Sequence, residues 1–106
     1  MEKRIIPKTK KECFAILDKN LSKEDKKAII ESKDCTEFHY TLGMWIRNNW
    51  IYPMDEDELM GLMRQFVNEE EEDMLSIMCL EADKASLAII ESYQKYLKAL
   101  AKKNNK

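Results

Sequence analysis

The stretch FHYTLGMWIRNNWI, residues 38–51, carries the densest pattern in the chain. On a helical wheel of about 100° per residue, its apolar side chains cover most of the circumference. Such coverage is typical of a helix that neighbours contact on several sides. Pro53 ends the pattern, because the residue before a proline avoids helical backbone angles. We therefore predict a central Trp-rich helix over residues 37–50.

Three residues inside this helix need a physical reason. Gly43 costs about 1 kcal/mol relative to alanine in a helix interior, which indicates close approach of another backbone or a bulky ring. Arg47 either pairs with an acidic residue from the middle of the chain or binds an anionic group of a ligand. Asn49 falls in the apolar arc, where it either bonds a neighbouring helix end or connector, or contacts a ligand. We favour the internal partner for both polar side chains.

The aromatic residues and the single histidine complete the candidate site. Trp45 is expected in the core, whereas Trp50, at the helix end, is expected as an exposed anchor, because Trp is enriched in binding hot spots. His39 is expected to be a hydrogen-bonded packing residue. Cys35, four residues earlier, allows a Cys–His dyad, but the sequence offers no evident third group. The candidate binding residues are His39, Arg47, Asn48, Asn49 and Trp50, and no catalytic residue is assigned.

Capping patterns outside this segment predict the remaining helices. They occur at Thr9, Ser22 and Asp55, and a further start at Asp83 opens a last helix that runs to about Lys103. An acidic run and an apolar helical face follow one another over residues 69–80. With only 2 Gly and 2 Pro, the composition excludes turn-rich β-architectures. We predict an all-α fold, a compact bundle of about five to six helices.

The 106 residues fit one domain, with an extended lead-in over residues 1–8 and a frayed tail over 104–106. Its net charge of −2 is unevenly distributed: residues 1–33 carry +4, residues 34–83 carry −11 and residues 84–106 carry +5. The basic ends either neutralise the acidic middle within the fold, or leave an acidic surface that attracts a basic partner.

Several classes of chemistry have no support in the sequence. Two glycines cannot build a phosphate loop, and no Cys/His cluster has zinc spacing, so we expect no cofactor and no metal. Three cysteines without close spacing indicate reduced thiols in a cytoplasmic protein. No apolar run reaches the roughly 20 residues of a membrane span. The basic ends interleave few aromatic residues, so we expect no nucleic-acid partner.

Residues 39–50, HYTLGMWIRNNW, resemble the H-x-x-L-G-M-W-I-R-N-N-W signature of a bacterial family of short helical domains of unknown function. Residues 83–97 resemble its closing block, D-x-x-S-x-x-I-x-x-S-Y-x-x-Y-L. The chain departs from the family's histidine-containing pattern at residues 81–84 and 94–95, and residues 68–80 are interpreted as an insertion. The resemblance covers about residues 12–100; it supports the fold and implies no activity.

Three functional hypotheses follow. The first is a non-enzymatic protein-interaction module, of the immunity or inhibitor kind, that binds a basic protein through its acidic middle and Trp50. The alternative is a small-ligand-binding or enzymatic domain, with His39, Arg47, Asn48 and Asn49 converging on a solvent-filled cleft. Satisfied internal networks around Arg47 and Asn49 would argue against that alternative. The third is a homodimer that covers four methionines, namely Met60, Met63, Met74 and Met78.

Overall fold

The computed structural model describes residues 6–66 and 81–104, which are mostly helical and contain no strand. The all-α prediction is therefore confirmed. Five α-helices occur in this part of the chain: α1 Lys10–Asn20, α2 Lys23–Glu31, α3 Leu42–Ile46, α4 Glu56–Met63 and α5 Ala82–Asn104. Short 3₁₀ turns cover Thr36–Phe38 and Arg64–Phe66, and a π-turn covers Arg47–Ile51.

Side-chain caps begin the first, second and fourth helices, as predicted. The Thr9 hydroxyl caps α1. Ser22 and Asp25 exchange side-chain-to-backbone hydrogen bonds of 3.1 and 3.2 Å at the start of α2. Asp55 and Glu58 do the same at 2.8 and 3.2 Å at the start of α4. Each exchange satisfies backbone donors that the first turn of a helix leaves free.

The last helix, α5, packs against several of the other elements. It contacts α2, α3, the π-turn and the second 3₁₀ turn. Its buried residues recur at three- and four-residue steps along one side of the helix, and they include Ile89, Tyr93 and Leu97. The Tyr93 hydroxyl donates a 2.6 Å hydrogen bond to Asp18 of α1. The helix begins at Ala82, so Asp83 lies in its first turn and the predicted cap at Asp83 is wrong.

The predicted continuous helix over residues 37–50 is broken. After the 3₁₀ turn, residues 39–41 form an irregular turn, and α3 begins only at Leu42. Cys35 reverses the chain with a φ of 66°, a left-handed conformation that non-glycine residues adopt rarely. The His39 carbonyl then accepts a hydrogen bond from the Arg47 side chain at 2.9 Å. In a continuous helix, that carbonyl would instead accept from the amide four residues on.

Some predictions fall outside the described residues. They are the acidic run and apolar face at 69–80, the first five residues of the lead-in and the last two of the tail. Met74 and Met78 of the predicted dimer face belong to the same set. Met63 is fully buried in the core, so that methionine does not form an exposed dimer face. Among the described helices, none combines the length and apolar character needed to cross a bilayer.

Candidate functional site

Arg47, the most conspicuous charge of the predicted site, is buried in a polar network. Its Nε lies 3.4 Å from Oδ1 of Asp83, and its Nη1 donates to the Ser86 hydroxyl at 3.1 Å. Its Nη2 donates to the His39 carbonyl, while Nη1 lies 3.5 Å from Nδ1 of the His39 ring. The predicted internal pair with an acid of residues 34–83 is confirmed. The guanidinium thereby joins the turn before α3 to the first turns of α5.

Gly43 makes the Arg47 network sterically feasible. A Cβ built on Gly43 would lie 3.0 Å from the Phe38 carbonyl oxygen and 3.1 Å from Nη1 of Arg47. Residues i and i+4 of a helix share one face, so the Arg47 side chain passes directly over this position. The predicted close approach of another backbone to Gly43 is confirmed, and the backbone belongs to Phe38 of the preceding turn.

A cleft of about 380 Å³ opens beside this network, with Cys35, His39, Asp83 and Ser86 among its lining residues. Cys35 is fully buried, and burial raises the pKa of its thiol above the ordinary value. The thiol is the nucleophile only when it is deprotonated, so this environment opposes the Cys–His chemistry that the sequence spacing allows. Ser86 already donates to the Asp83 carbonyl at 2.9 Å.

The asparagines do not join the network of Arg47 and His39. Asn49 is half-buried and its Nδ2 donates to the Trp45 carbonyl at 2.8 Å, one turn back in the same segment. Asn48 is exposed. In the described part of the chain, every buried side-chain nitrogen and oxygen atom has a hydrogen-bond partner. The same residues contain no group of three or more His, Cys, Asp or Glu side chains that could hold a metal ion.

The two tryptophans exchange their predicted positions. Trp50 is only 1% exposed, whereas Trp45 is 38% exposed. Their rings pack edge-to-face with centroids 5.3 Å apart. The prediction that Trp50 is an exposed anchor is wrong: it rested on the position of Trp50 at the helix end, whereas the ring is buried on the same side as Gly43, Ile46 and Arg47. Trp50 therefore lies in the core, and Trp45 packs against it from the exposed side.

An exposed apolar surface lies along residues 40–52 and was not predicted as such. Tyr40 is 77% exposed and Tyr52 is 63% exposed, and Met44 and Trp45 are exposed as well. We call these four side chains the aromatic face. Met44, Asn48 and Tyr52 recur at four-residue steps, which places them along one side of the segment. The helical wheel contains the signal, since Tyr40 and Met44 fall on the side that also holds Asn48.

In the sequence, acidic side chains lie on both sides of the aromatic face. Residues 34–63 contain six Asp and Glu, all exposed, and a single cation, Arg47, which is buried. We call the six carboxylates the acidic rim: Asp34, Glu37, Asp55, Glu56, Asp57 and Glu58. Since Asp83 neutralises Arg47 inside the fold, the exposed surface of this segment carries only negative charge.

These features define an all-α domain in which Gly43, Ile46, Arg47 and Trp50 are buried and hold the fold together, while Tyr40, Met44, Trp45 and Asn48 are exposed. The family model of DUF6794, a domain of unknown function, matches residues 6–80, most of the chain. The chain therefore belongs to the DUF6794 family. No curated protein and no solved structure matches it. The match includes residues 39–50 and stops before the helix that contains residues 83–97.

Proposed function

We propose that this domain is a non-enzymatic interaction module that binds a basic protein through the aromatic face and the acidic rim. One observation carries the proposal. Large apolar side chains stand exposed along residues 40–52, and the surface around them in residues 34–63 bears carboxylates and no exposed cation. Tyr, Trp and Met are enriched at protein interfaces relative to other surface positions.

The two parts of this surface perform different physical tasks. Burying the aromatic face against a partner removes apolar area from water, worth about 25 cal/mol per Å², and supplies most of the affinity. The acidic rim attracts a positively charged surface during diffusional encounter and disfavours acidic competitors. The partner is therefore expected to be basic where it touches the rim, which fits an inhibitor-like or immunity-like role.

The core beneath the face supports this role because it keeps the face rigid. Trp45 packs against buried Trp50, and buried Arg47 fixes the segment to α5. A preorganised surface loses less conformational entropy on binding. We propose that residues 39–50 have two roles. Gly43 and Arg47 maintain the fold, and the exposed residues Met44, Trp45 and Asn48 contact the partner. We further propose that the protein acts in the bacterial cytoplasm.

The internal hydrogen bonds of Arg47 and Asn49 argue against the alternative of a small-ligand-binding domain. A ligand-binding arginine needs donors left free to meet the ligand. Here the guanidinium already donates to Ser86 and His39 and lies beside Asp83. The Asn49 side chain donates to the Trp45 carbonyl. His39, Arg47 and Asn49 therefore serve packing in this proposal, and Asn48 remains on the binding surface.

A capture experiment with matched variants tests the proposal. The immobilised full chain is exposed to host lysate in three forms: wild type, the face variant Tyr40→Ser/Tyr52→Ser, and the control Leu100→Ser. Leu100 is an exposed leucine of α5 outside the face. We expect a basic protein, with an isoelectric point above about 9, to bind wild type and control but not the face variant. Equal capture by all three, or face-dependent capture of an acidic protein, would contradict the proposal.

The rim is tested separately by binding kinetics with the captured protein. Glu56→Gln/Asp57→Asn removes two carboxylates without touching the capping pair of α4. We expect the association rate to fall severalfold and the dissociation rate to change little, because rim charges act mainly on encounter. Raising sodium chloride to about 0.5 M should abolish the difference between this variant and wild type, since salt screens exposed charges.

A further inference from the structure

A groove of about 510 Å³ lies where α1, α2 and α3 meet, and it adjoins the aromatic face at Trp45. Leu17 and Ile29, both buried, are among its lining residues, and so are Phe38 and Leu42. Sites that take drug-sized molecules span about 300–1,000 Å³, so this groove holds at least one large side chain. Trp45 makes the groove and the aromatic face one continuous apolar surface.

The lining of the groove carries one charged residue, Asp25 of α2. Its Oδ2 accepts the 3.2 Å hydrogen bond from the Ser22 backbone that caps α2. The side chain is nonetheless exposed and accessible to an incoming donor. The three lysines of α2 do not line the groove: Lys26 lies 3.8 Å from Asp18, Lys27 lies 3.9 Å from Glu31, and Lys23 is in the first turn. An occupant of the groove therefore meets an apolar floor with a negative charge beside it.

We propose that the groove receives an apolar anchor side chain from a helical segment of the partner, and that a Lys or Arg of the same segment faces Asp25. This inference rests on the proposed function and names the part of the basic partner that docks. An amphipathic helix is the appropriate shape, because helix-in-groove recognition aligns apolar anchors one turn apart along an apolar strip. A docking strand would need an open sheet edge, which residues 6–66 and 81–104 do not offer.

The first test uses a synthetic probe peptide and nuclear magnetic resonance on the full chain. The probe is an amphipathic 18-residue helix of leucine and lysine, and the matched control peptide carries glutamate in place of lysine. We expect the lysine peptide to shift the backbone amide signals of Ala28, Leu42 and Trp45. The glutamate peptide should bind at least about tenfold more weakly, because like charges across an interface are repelled. Equal binding of the two peptides would overturn the cationic part of the proposal.

The second test fills the groove. Ala28 lines the groove yet is exposed, so Ala28→Phe adds a ring there without removing a core contact. We expect it to weaken binding of the lysine peptide at least about tenfold, as expected when an anchor loses its pocket. Ala15→Phe, at an exposed position of α1 outside the groove, should bind as wild type. Ala28→Leu provides a smaller filler, and thermal unfolding checks that each variant is folded.

The outcomes separate this inference from the proposed function. No binding of the lysine peptide to wild type, or equal binding by Ala28→Phe and wild type, overturns the groove proposal and leaves face-dependent capture of a basic protein unaffected. Conversely, if the peptide binds through the groove while the capture experiment shows no dependence on the aromatic face, that result would contradict the proposed function and leave the groove proposal standing. If sedimentation shows that wild type self-associates and Ala28→Phe does not, the occupant is a second copy of the chain, and the proposal is wrong.

Discussion

The two sides of the segment 42–52 differ sharply in burial. One side contains Gly43, Ile46, Arg47 and Trp50, all buried. The other contains Met44, Trp45, Asn48 and Tyr52, and these side chains are exposed. A single short stretch therefore meets two demands, since its buried residues position α5 and its exposed residues remain available to a partner.

The contrast teaches that a dense motif need not mark a reactive centre. Arg47 looks like a ligand-binding charge in the sequence, yet its donors are spent on Ser86 and His39. Tyr40 and Tyr52 draw less attention in the sequence and are the most exposed large apolar residues described. In this domain, the residue that looks most like a binding site in the sequence, Arg47, stabilises the fold. The candidate binding residues, Tyr40 and Tyr52, do not stand out in the sequence.

The tryptophan pair gives the largest expected difference between the two sides. Trp50→Ala should lower the free energy of unfolding by about 4 kcal/mol, because it leaves a large cavity in the core. Trp45→Ala should cost about 1–2 kcal/mol, for partial burial and one edge-to-face contact. Urea denaturation measures both, with Trp50→Phe as a milder variant if Trp50→Ala does not fold. Equal losses would erase the distinction between the sides.

The arginine pair tests the buried network. Arg47→Met should destabilise the fold by about 2–3 kcal/mol, since it removes the guanidinium from a buried hydrogen-bonded position. Arg64→Met provides the control, because Arg64 is exposed and its side chain reaches only Met60 Sδ, at 3.9 Å. That change should stay within about 0.5 kcal/mol. If Arg47→Met proved as mild as its control, Arg47 would be free to serve a ligand.

The two glycines should respond to alanine with opposite signs. At Gly43, a methyl group meets the Phe38 carbonyl and Arg47, so we expect a loss of about 1 kcal/mol despite the gain in helix propensity. At Gly61 of α4, no atom of the described residues lies within 4 Å of the added Cβ. Gly61→Ala should therefore stabilise the protein by about 0.5–1 kcal/mol. Thermal or urea unfolding distinguishes the two, and stabilisation by both would contradict the close approach at Gly43.

The smallest expected difference is in the solvent accessibility of the two tryptophans, and fluorescence quenching measures it in the folded protein. Trp50→Phe leaves Trp45 as the sole tryptophan, and Trp45→Phe leaves Trp50. Acrylamide should quench the first variant with a Stern–Volmer constant several times larger than the second, because only Trp45 is accessible. Similar constants would place both rings in the same environment and would remove Trp45 from the proposed binding surface.

Local rules were sufficient for much of the fold. The caps at Thr9, Ser22 and Asp55 each involve side chains within three residues of the helix start, so their sequence patterns are nearly self-contained. The same holds for the apolar spacing of α5. The all-α class follows from composition together with these signals.

What the sequence did not reveal depends on contacts between distant residues. The break before α3 depends on Arg47 capturing the His39 carbonyl, and that position of Arg47 depends on Ser86, which lies 39 residues away. Whether a tryptophan near the end of a helix is buried also depends on the elements that pack around it, so its place in the sequence did not reveal that Trp50 lies in the core. The aromatic face escaped prediction for a related reason, since hydrophobicity alone does not say which side of a helix other elements cover.

The buried Arg47 also has a bearing on protein engineering. It ties the start of α5 to the turn at His39 through side-chain bonds, independently of the covalent path through residues 67–80. Changes at the exposed side chains Tyr40 and Tyr52 should therefore leave the fold in place as long as Gly43, Arg47 and Ser86 are kept. The domain thus offers a scaffold whose exposed residues can be exchanged while the buried ones keep it folded.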